Sequence, residues 1–449
     1  MVAPARRREN EAPDMLRWLL DLNLVDGPAP LIIWGLAASG VVALLIRPLR
    51  RRWLVRLLIG VAAGALVGWF LVVWADASNA FGVPMPDTVK WWTTGGFAAI
   101  GLCVVSLWSS HWWRKAVAIL TVITSVLSIF LGINQAFGLD RSLGDLLGIN
   151  TLGSIDNFAP PLTTPVDETK PLYETWTPPS DMPAQGRYGA LNGSHAITSS
   201  AGFKPRSATI YLPPAALVTD PPPLPVVVFM MGLPGWPSPH PMVDVLNEFA
   251  AKHDGLAPIV VIADQLGSQS QNPGCVDSAA YGGVETYFNK DIPDYIRTHL
   301  RVLQDSKYWT IAGYSNGGAC AFMWGARHPD IWGNIATASG EPWAGSSDPA
   351  SVLKPVYKGD VAAFDANKPS AILTEHPGEY AGHYAIFAAG ALDKKYGPLN
   401  RTSAALAEAA GFHTTFYLVP NATHTGPGLR GGLAKAFSVL YPRWGLAAG

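Results

Sequence analysis

Polarity along the chain changes character near residue 140. Before that point apolar residues come in four long runs, 31–46, 57–74, 91–108 and 116–137, divided by short polar stretches. Runs of this length approach the roughly 20 residues needed to cross about 30 Å of hydrocarbon, and they predict four transmembrane helices. Trp34, Trp69, Trp74, Trp91, Trp92, Trp112 and Trp113 lie mostly near the run ends, where an interfacial aromatic belt would place them. A cleaved signal peptide would account for the first run at most.

Beyond residue 140 the pattern shortens. Residues 141–184 are rich in Pro and Thr, as a semi-extended tether would be. Short apolar strands are predicted over 208–212, 224–231, 259–263, 309–312, 332–339, 384–389 and 414–419, several of them apolar on both faces. Between them, helical spacing marks 243–252, 284–303, 319–327, 403–410 and 433–440. Continuous apolar strands alternating with helices describe a mostly parallel sheet covered on both sides. The expected organisation is an N-terminal segment (1–27), four membrane helices (28–140), the linker (141–184) and an α/β catalytic domain (185–449).

Composition sharpens this picture. Of 449 residues 49% are hydrophobic and only 14% charged, with a formal net charge of −1; such a chain offers no basic field for nucleic acid. An even number of spans leaves both termini on one side. Seven cations (Arg47, Arg50, Arg51, Arg52, Arg56, Arg114 and Lys115) flank the runs on one side, against five (Arg6, Arg7, Arg8, Arg17 and Lys90) on the other. The positive-inside bias then puts the second half outside the cytoplasm, at the plasma membrane. Cys275 and Cys320, the cysteines of that half, would suit a disulfide in an oxidising compartment, the alternative being two unpaired thiols.

The chemistry concentrates in the pentapeptide from Gly313 to Gly317, Gly-Tyr-Ser-Asn-Gly, with Ser315 at its centre. An apolar strand runs into it and an alanine-rich helix runs out. In that context glycines let strand and helix approach closely, and the serine occupies a strained turn with its hydroxyl projecting: a nucleophile elbow, which makes the α/β-hydrolase fold the expected one. Chain order in that fold is Ser, then acid, then His. Asp393 follows the strand over 384–389, whereas the rival carboxylates Asp365, Glu375 and Glu379 sit in an irregular stretch. His424 follows the last strand, while His376, His383 and His413 precede or begin strands. The oxyanion donors expected are the backbone N–H groups of Asn316 and Leu233; Pro234 has none to give. Glu285 and Asp291 read as helix-dipole partners. No group has metal-ligand spacing and no phosphate-cradling loop occurs, so neither a metal nor a cofactor is expected.

Residues 224–235, the helix start at 284–293, the elbow at 313–318 and the helix exit at 326–330 together resemble the putative-esterase (esterase D-like) family, which includes mycolyltransferases and siderophore esterases. The resemblance covers roughly residues 185–445 and leaves the membrane half without a counterpart. It implies a serine esterase or acyltransferase working through an acyl-enzyme on a small-molecule or lipid ester, without a cofactor. Two positions depart from the pattern: Met231 stands where many relatives carry His or Asp, and Asn316 where Met is common. A different reading makes the membrane half the working part, a transporter or channel with a regulatory or inactive hydrolase-like domain. Intramembrane ionisable residues would favour it, yet the four runs hold none; Asp76 and Lys90 lie at their edges.

Overall fold

The computed structural model describes residues 14–449 except 49, 79, 81, 82, 109, 157 and 162–169. Arg6, Arg7 and Arg8, counted above for orientation, and part of the linker lie outside the described residues. The chain divides into two compact units, Met1–Thr151 and Leu152–Gly449.

The first unit is built on α1 (Pro28–Leu45), α2 (Arg51–Ala77), α3 (Asp87–Ser106) and α4 (Trp112–Phe137). The connections are too short for anything but antiparallel neighbours, and the contacts bear this out. Gly60 of α2 meets Gly101 and Val105 of α3, Gly68 meets Thr93, and Trp92 of α3 meets Gly132 of α4. A Cβ at Gly68 would lie 2.7 Å from the Thr93 carbonyl oxygen, and one at Gly60 2.8 Å from that of Gly101. The small residues at 60, 64 and 68 thus let two backbones touch, as in small-xxx-small helix pairs. At one end of the bundle the interior is filled by Leu44, Leu102, Cys103 and Ala118. There the Arg114 guanidinium, buried at the start of α4, donates to the carbonyls of Leu44 (2.7 Å) and Ile46 (3.2 Å), capping the otherwise unpaired C-terminal carbonyls of α1.

The expectation of four membrane spans needs correction. Among the described residues three helices, α1, α2 and α4, are long and apolar enough to cross a membrane. The run at 91–108 does form α3, but its first half carries Lys90, Trp91, Trp92, Thr93, Thr94, Gly95 and Gly96, which dilute its hydropathy. Its place against α2 and α4 comes from close packing rather than from apolarity.

The second unit holds an eight-stranded sheet in the order β1-β2-β4-β3-β5-β6-β7-β8. The strands are β1 (Arg187–Ala190), β2 (Thr209–Leu212), β3 (Val226–Met230), β4 (Ile259–Ile262), β5 (Trp309–Tyr314), β6 (Asn334–Ala338), β7 (Tyr384–Gly390) and β8 (His413–Val419). β1 and β2 are antiparallel additions at one edge; β4 through β8 run parallel. The helices that matter to the site are α5 (His240–Lys252), α6 (Ile292–His299), α7 (Asn316–Arg327), α8 (Tyr396–Ala410) and α9 (Gly426–Arg443). Ile311 and Ile335 point to Gly325 of α7, while Ala338 and Ala388 point to Gly432 of α9. Because side chains alternate along a strand, those helices cover opposite faces of the sheet. All residues of β2 through β6 are buried, which is why those strands read as unbroken apolar runs.

Two stretches depart from the expected elements. The helix over 284–303 is in fact a turn at Val284–Thr286, a widened π-turn at Tyr287–Asp291 and α6, ending at His299. The stretch 340–383 contains helices Ala350–Leu353, Val361–Ala366 and Pro369–Glu375. The second is capped by the Asp360 carboxylate accepting from the Ala363 N–H at 3.0 Å, and the third starts on a proline.

Candidate active site

The sheet's parallel strands end on one edge, and the candidate residues gather in the loops there. Ser315 sits between β5 and α7 with φ 53° and ψ −116°, a conformation costly for a residue with a Cβ. The surroundings hold it there. Its N–H donates to the Ala338 carbonyl (3.0 Å), and its carbonyl accepts from the N–H groups of Ala319 (3.2 Å) and Glu341 (3.0 Å). A Cβ at Gly317 would fall 2.6 Å from the carbonyl oxygens of both Met230 and Met231, so only glycine admits this approach of α7 to β3.

Asp393 follows β7 and His424 follows β8. The two meet: His424 Nδ1 lies 3.3 Å from Asp393 Oδ2, with both side chains almost fully buried. The other carboxylate oxygen, Oδ1, accepts from the N–H groups of Tyr396 (2.9 Å) and Lys395 (3.2 Å). Those bonds fix the carboxylate at the start of α8. The imidazole lies against the rings of Tyr314 and Tyr396, at centroid distances of 4.9 and 4.2 Å. Burial pushes both phenols above their ordinary range, and the Asp393 carboxylate adds to the shift; the rings therefore stay neutral beside the imidazole. Among the described residues no hydrogen bond joins Ser315 Oγ to the His424 ring. The ring is brought instead against Tyr314, the residue directly before the serine. Such bonds are commonly loose until a ligand tightens them.

Residues 231–235 form the loop after β3, where the Leu233–Pro234 peptide is cis. A Cβ on Gly232 would stand 3.0 Å from the Ser315 Cβ, so this loop and the serine lie against each other. The Asn316 N–H opens α7, where first-turn donors have no intrahelical acceptor.

Sequence reasoning missed the clamp on Asn316. Gln265, just past β4, donates from Nε2 to the Met231 carbonyl (2.7 Å) and to Asn316 Oδ1 (3.3 Å), while Asn316 Nδ2 donates to Asn272 Oδ1 (3.4 Å). The Gln265 loop is anchored by Asp264, which accepts from Arg206 Nη2 at 2.8 Å and Nε at 3.0 Å and from the N–H groups of Leu266 and Gly267. The one available signal was the position of Gln265 at the carboxyl end of a parallel strand. Cys275 of the same loop is disulfide-bonded to Cys320 on the first turns of α7, Cα–Cα 5.3 Å. The Trp324 indole on α7 also donates to the Cys275 carbonyl, at 2.9 Å.

The rival residues are engaged elsewhere. Asp365 pairs with Lys368 (2.6 Å), Glu379 with His376 (3.1 Å), and His383 Nε2 lies 2.9 Å from the Pro329 carbonyl. Glu285 takes Arg327 (2.9 Å) and His328 (3.1 Å). Asp291 accepts from the Ser200 hydroxyl and N–H. Both are structural. Groups of three or more potential metal ligands do not occur among the described residues.

Residues 199–408 match the family described as Putative esterase. An uncharacterized protein of Corynebacterium glutamicum is 32% identical over 448 residues, covering 95% of this chain and 98% of that one. Its likeness extends through the helical half, which the sequence resemblance had left without a counterpart. Similar solved structures include a ferulic acid esterase (19% identity, TM-score 0.46, 58% of this chain and 98% of that one). Another is an S-formylglutathione hydrolase of Agrobacterium tumefaciens (17%, TM-score 0.46, 59% and 98%). The chain belongs to the Putative esterase family of serine hydrolases, with three long apolar helices that suggest membrane anchoring placed ahead of its α/β-hydrolase unit.

Proposed function

We propose that the protein is a membrane-anchored serine esterase or acyltransferase that works through an acyl-enzyme on a lipid or cell-envelope ester. The observation that carries this reading is the buried His424–Asp393 pair at 3.3 Å, lying beside the strained Ser315 turn. In the proposed reaction Ser315 Oγ attacks the ester carbonyl as His424 Nε2 takes its proton. The charge developing on the carbonyl oxygen is held by the N–H groups of Leu233 and Asn316. Collapse breaks the C–O bond, the proton passes from His424 to the departing alcohol, and the acyl group stays on Ser315. Water, or the hydroxyl of an acceptor, then gives its proton to His424 and takes the acyl group, restoring the serine. Asp393 holds the imidazole in the required tautomer.

Gln265 and Asn272 act as positioning residues, since they fix the side chain of Asn316 and with it the first turn of α7. The segment over 340–383, with Trp343 and Tyr357, is proposed to cover the acyl pocket. The Cys275–Cys320 bond supports a catalytic unit on the extracytoplasmic side of the plasma membrane. The experiment is labelling of the full chain by a fluorophosphonate probe. Wild type is expected to label and Ser315→Ala to remain unlabelled; equal labelling of the two would overturn the reading. The mass of an acyl adduct trapped on Ser315 would then identify the donor.

A further inference from the structure

The loops at the carboxyl edge of the sheet fall into two bonded blocks. In the first, the Glu341 N–H donates to the Ser315 carbonyl (3.0 Å), and a Cβ on Gly318 would fall 2.7 Å from the Gly340 Cα. The loop after β6 is thus built onto the serine turn. In the second, the N–H groups of Ala391 and Leu392 donate to the carbonyls of Val419 (2.8 Å) and Ala422 (2.9 Å). Those bonds join the loop carrying Asp393 to the loop carrying His424. Between the blocks, the pairing of β6 with β7 ends at Ala338 and Ala388, with the Ser339 N–H still reaching the Ala388 carbonyl.

Past that rung side chains make the crossing. Asn400, buried one turn into α8, donates from Nδ2 to the carbonyls of Gly340 (3.0 Å) and Tyr396 (2.9 Å). Its Oδ1 accepts from the Thr337 hydroxyl at 3.3 Å. Both hydrogens of the amide are used and its oxygen is occupied. Ser347 makes a second crossing: its hydroxyl lies 3.1 Å from that of Tyr396 and accepts from Lys395 Nζ at 3.5 Å. Both ties land on the first turn of α8. That turn supplies the N–H groups that hold Asp393 Oδ1, and its Tyr396 ring lies against His424. Apolar packing gives the loop little support from the solvent side, since Ala391, Leu392 and Lys394 are exposed. Asparagine also forms helix less readily than alanine or leucine, so the bond to Gly340 accounts for its place better than α8 itself does.

We propose that Asn400 is a positioning residue for the reaction: by tying Tyr396 to Gly340 it fixes the His424–Asp393 pair relative to the Ser315 hydroxyl. Ser347 supports it through the Tyr396 hydroxyl. This role rests on Ser315 being the nucleophile, and Asn400 itself touches no reacting atom. A misplacement of about 1 Å can cost on the order of 100-fold in rate. Cutting the tie should therefore slow the chemistry while leaving the groups that bind the ester in place.

The test compares full-length wild type, Asn400→Leu and Tyr396→Phe in detergent micelles. It reads the rate and the end-point of fluorophosphonate labelling, and the steady-state hydrolysis of p-nitrophenyl acetate. Asn400→Leu keeps a branched side chain and removes its bonds to Gly340, Tyr396 and Thr337. Tyr396→Phe keeps the ring on His424 and removes the link to Ser347. Asn400→Leu is expected to label roughly 10- to 100-fold more slowly than wild type but to the same end-point. Its kcat should fall by a like factor, with KM within about twofold. Tyr396→Phe is expected to slow labelling and kcat by roughly three- to tenfold. A residue that merely supported folding would lower the end-point and leave the folded fraction reacting at the wild-type rate. That result, or wild-type rates in both variants, overturns the role of Asn400. Should Asn400→Leu give no folded protein, Tyr396→Phe decides by the same two criteria. Wild type that fails to label would reject the Ser315 reading instead, so the two failures show separately.

Discussion

Leu58, Leu66 and Phe70 stand on the outer side of α2, each more than 60% exposed, while Thr121, Ser125 and Ser128 are turned inward. In the second unit the arrangement is reversed. β3 and β4 bury every Val, Ile and Phe, and charged residues such as Lys290 and Asp294 lie outside. The two units were evidently shaped against different solvents. In water, burial of apolar area drives packing. Between helices in lipid that drive is absent, and contact depends on small residues and local hydrogen bonds. The difference teaches that one substitution means different things in the two halves: Gly64 in α2 is an interface, and Leu58 or Leu66 there is a surface.

The comparison can be broken from either side. The largest effect is expected at the buried His424–Asp393 pair. Asp393→Asn should lower kcat for a soluble ester by on the order of 10⁴ through the wrong imidazole tautomer, with thermal stability of the helical unit unchanged; a loss under tenfold would remove Asp393 from the reaction. Next is the covalent tie. Cys275→Ser with Cys320→Ser should cost the second unit about 2–5 kcal/mol, read as a shift in denaturant midpoint that wild type reproduces under reducing conditions. On the lipid side, Gly64→Leu should wedge α2 from α3 and cost about 1–3 kcal/mol in detergent unfolding, leaving kcat/KM for p-nitrophenyl acetate within twofold. A matching loss of activity would show that the halves are energetically one.

Smaller effects sharpen the picture within the catalytic unit. Gln265→Leu is expected to reduce kcat several-fold with KM little changed, because it loosens the Asn316 turn rather than the binding surface. The smallest is a pH effect at Glu285. Burial raises this carboxyl, but the hydrogen bond from His328 and the charge of Arg327 outweigh it and hold it below its ordinary value. A carboxylate depressed in the folded state contributes stability above its unfolded value, near 4.5, and loses that contribution as pH falls through the folded value. Stability measured between pH 6 and pH 3 should therefore decline less steeply in Glu285→Gln than in wild type. Equal slopes would assign the acid sensitivity to other groups.

Much of the catalytic unit was legible along the chain because its central strands are apolar on both faces and its serine lies in a five-residue signature. Chain order and position after a strand single out Asp393 and His424, and the structure brings these two side chains to 3.3 Å. What stayed hidden depends on partners distant in the chain. β1 is a four-residue edge strand with half of it exposed, so no periodicity announces it. α9 begins seven residues earlier than its spacing suggested, at Gly426. Glycines at 426, 428, 431 and 432 argue against a helix locally, and Gly432 is demanded only by its packing on Ala338 and Ala388. The Gln265 clamp joins the loops after β3 and β4 to the first turn of α7, and no local pattern carries that. α3 has the length of a span, but its Trp, Thr and Gly residues dilute its hydropathy below that of α1, α2 and α4.

The guanidinium of Arg114 has a consequence for biogenesis. It closes the tail of α1 onto a residue made 70 positions later, and at about 5–20 residues per second that interval is roughly 4–14 s of synthesis. Until then the last carbonyls of α1 must find temporary partners in water or lipid headgroups. The first helix of the four-helix bundle thus stays uncapped until the last one begins, and its capping waits on the first turn of α4.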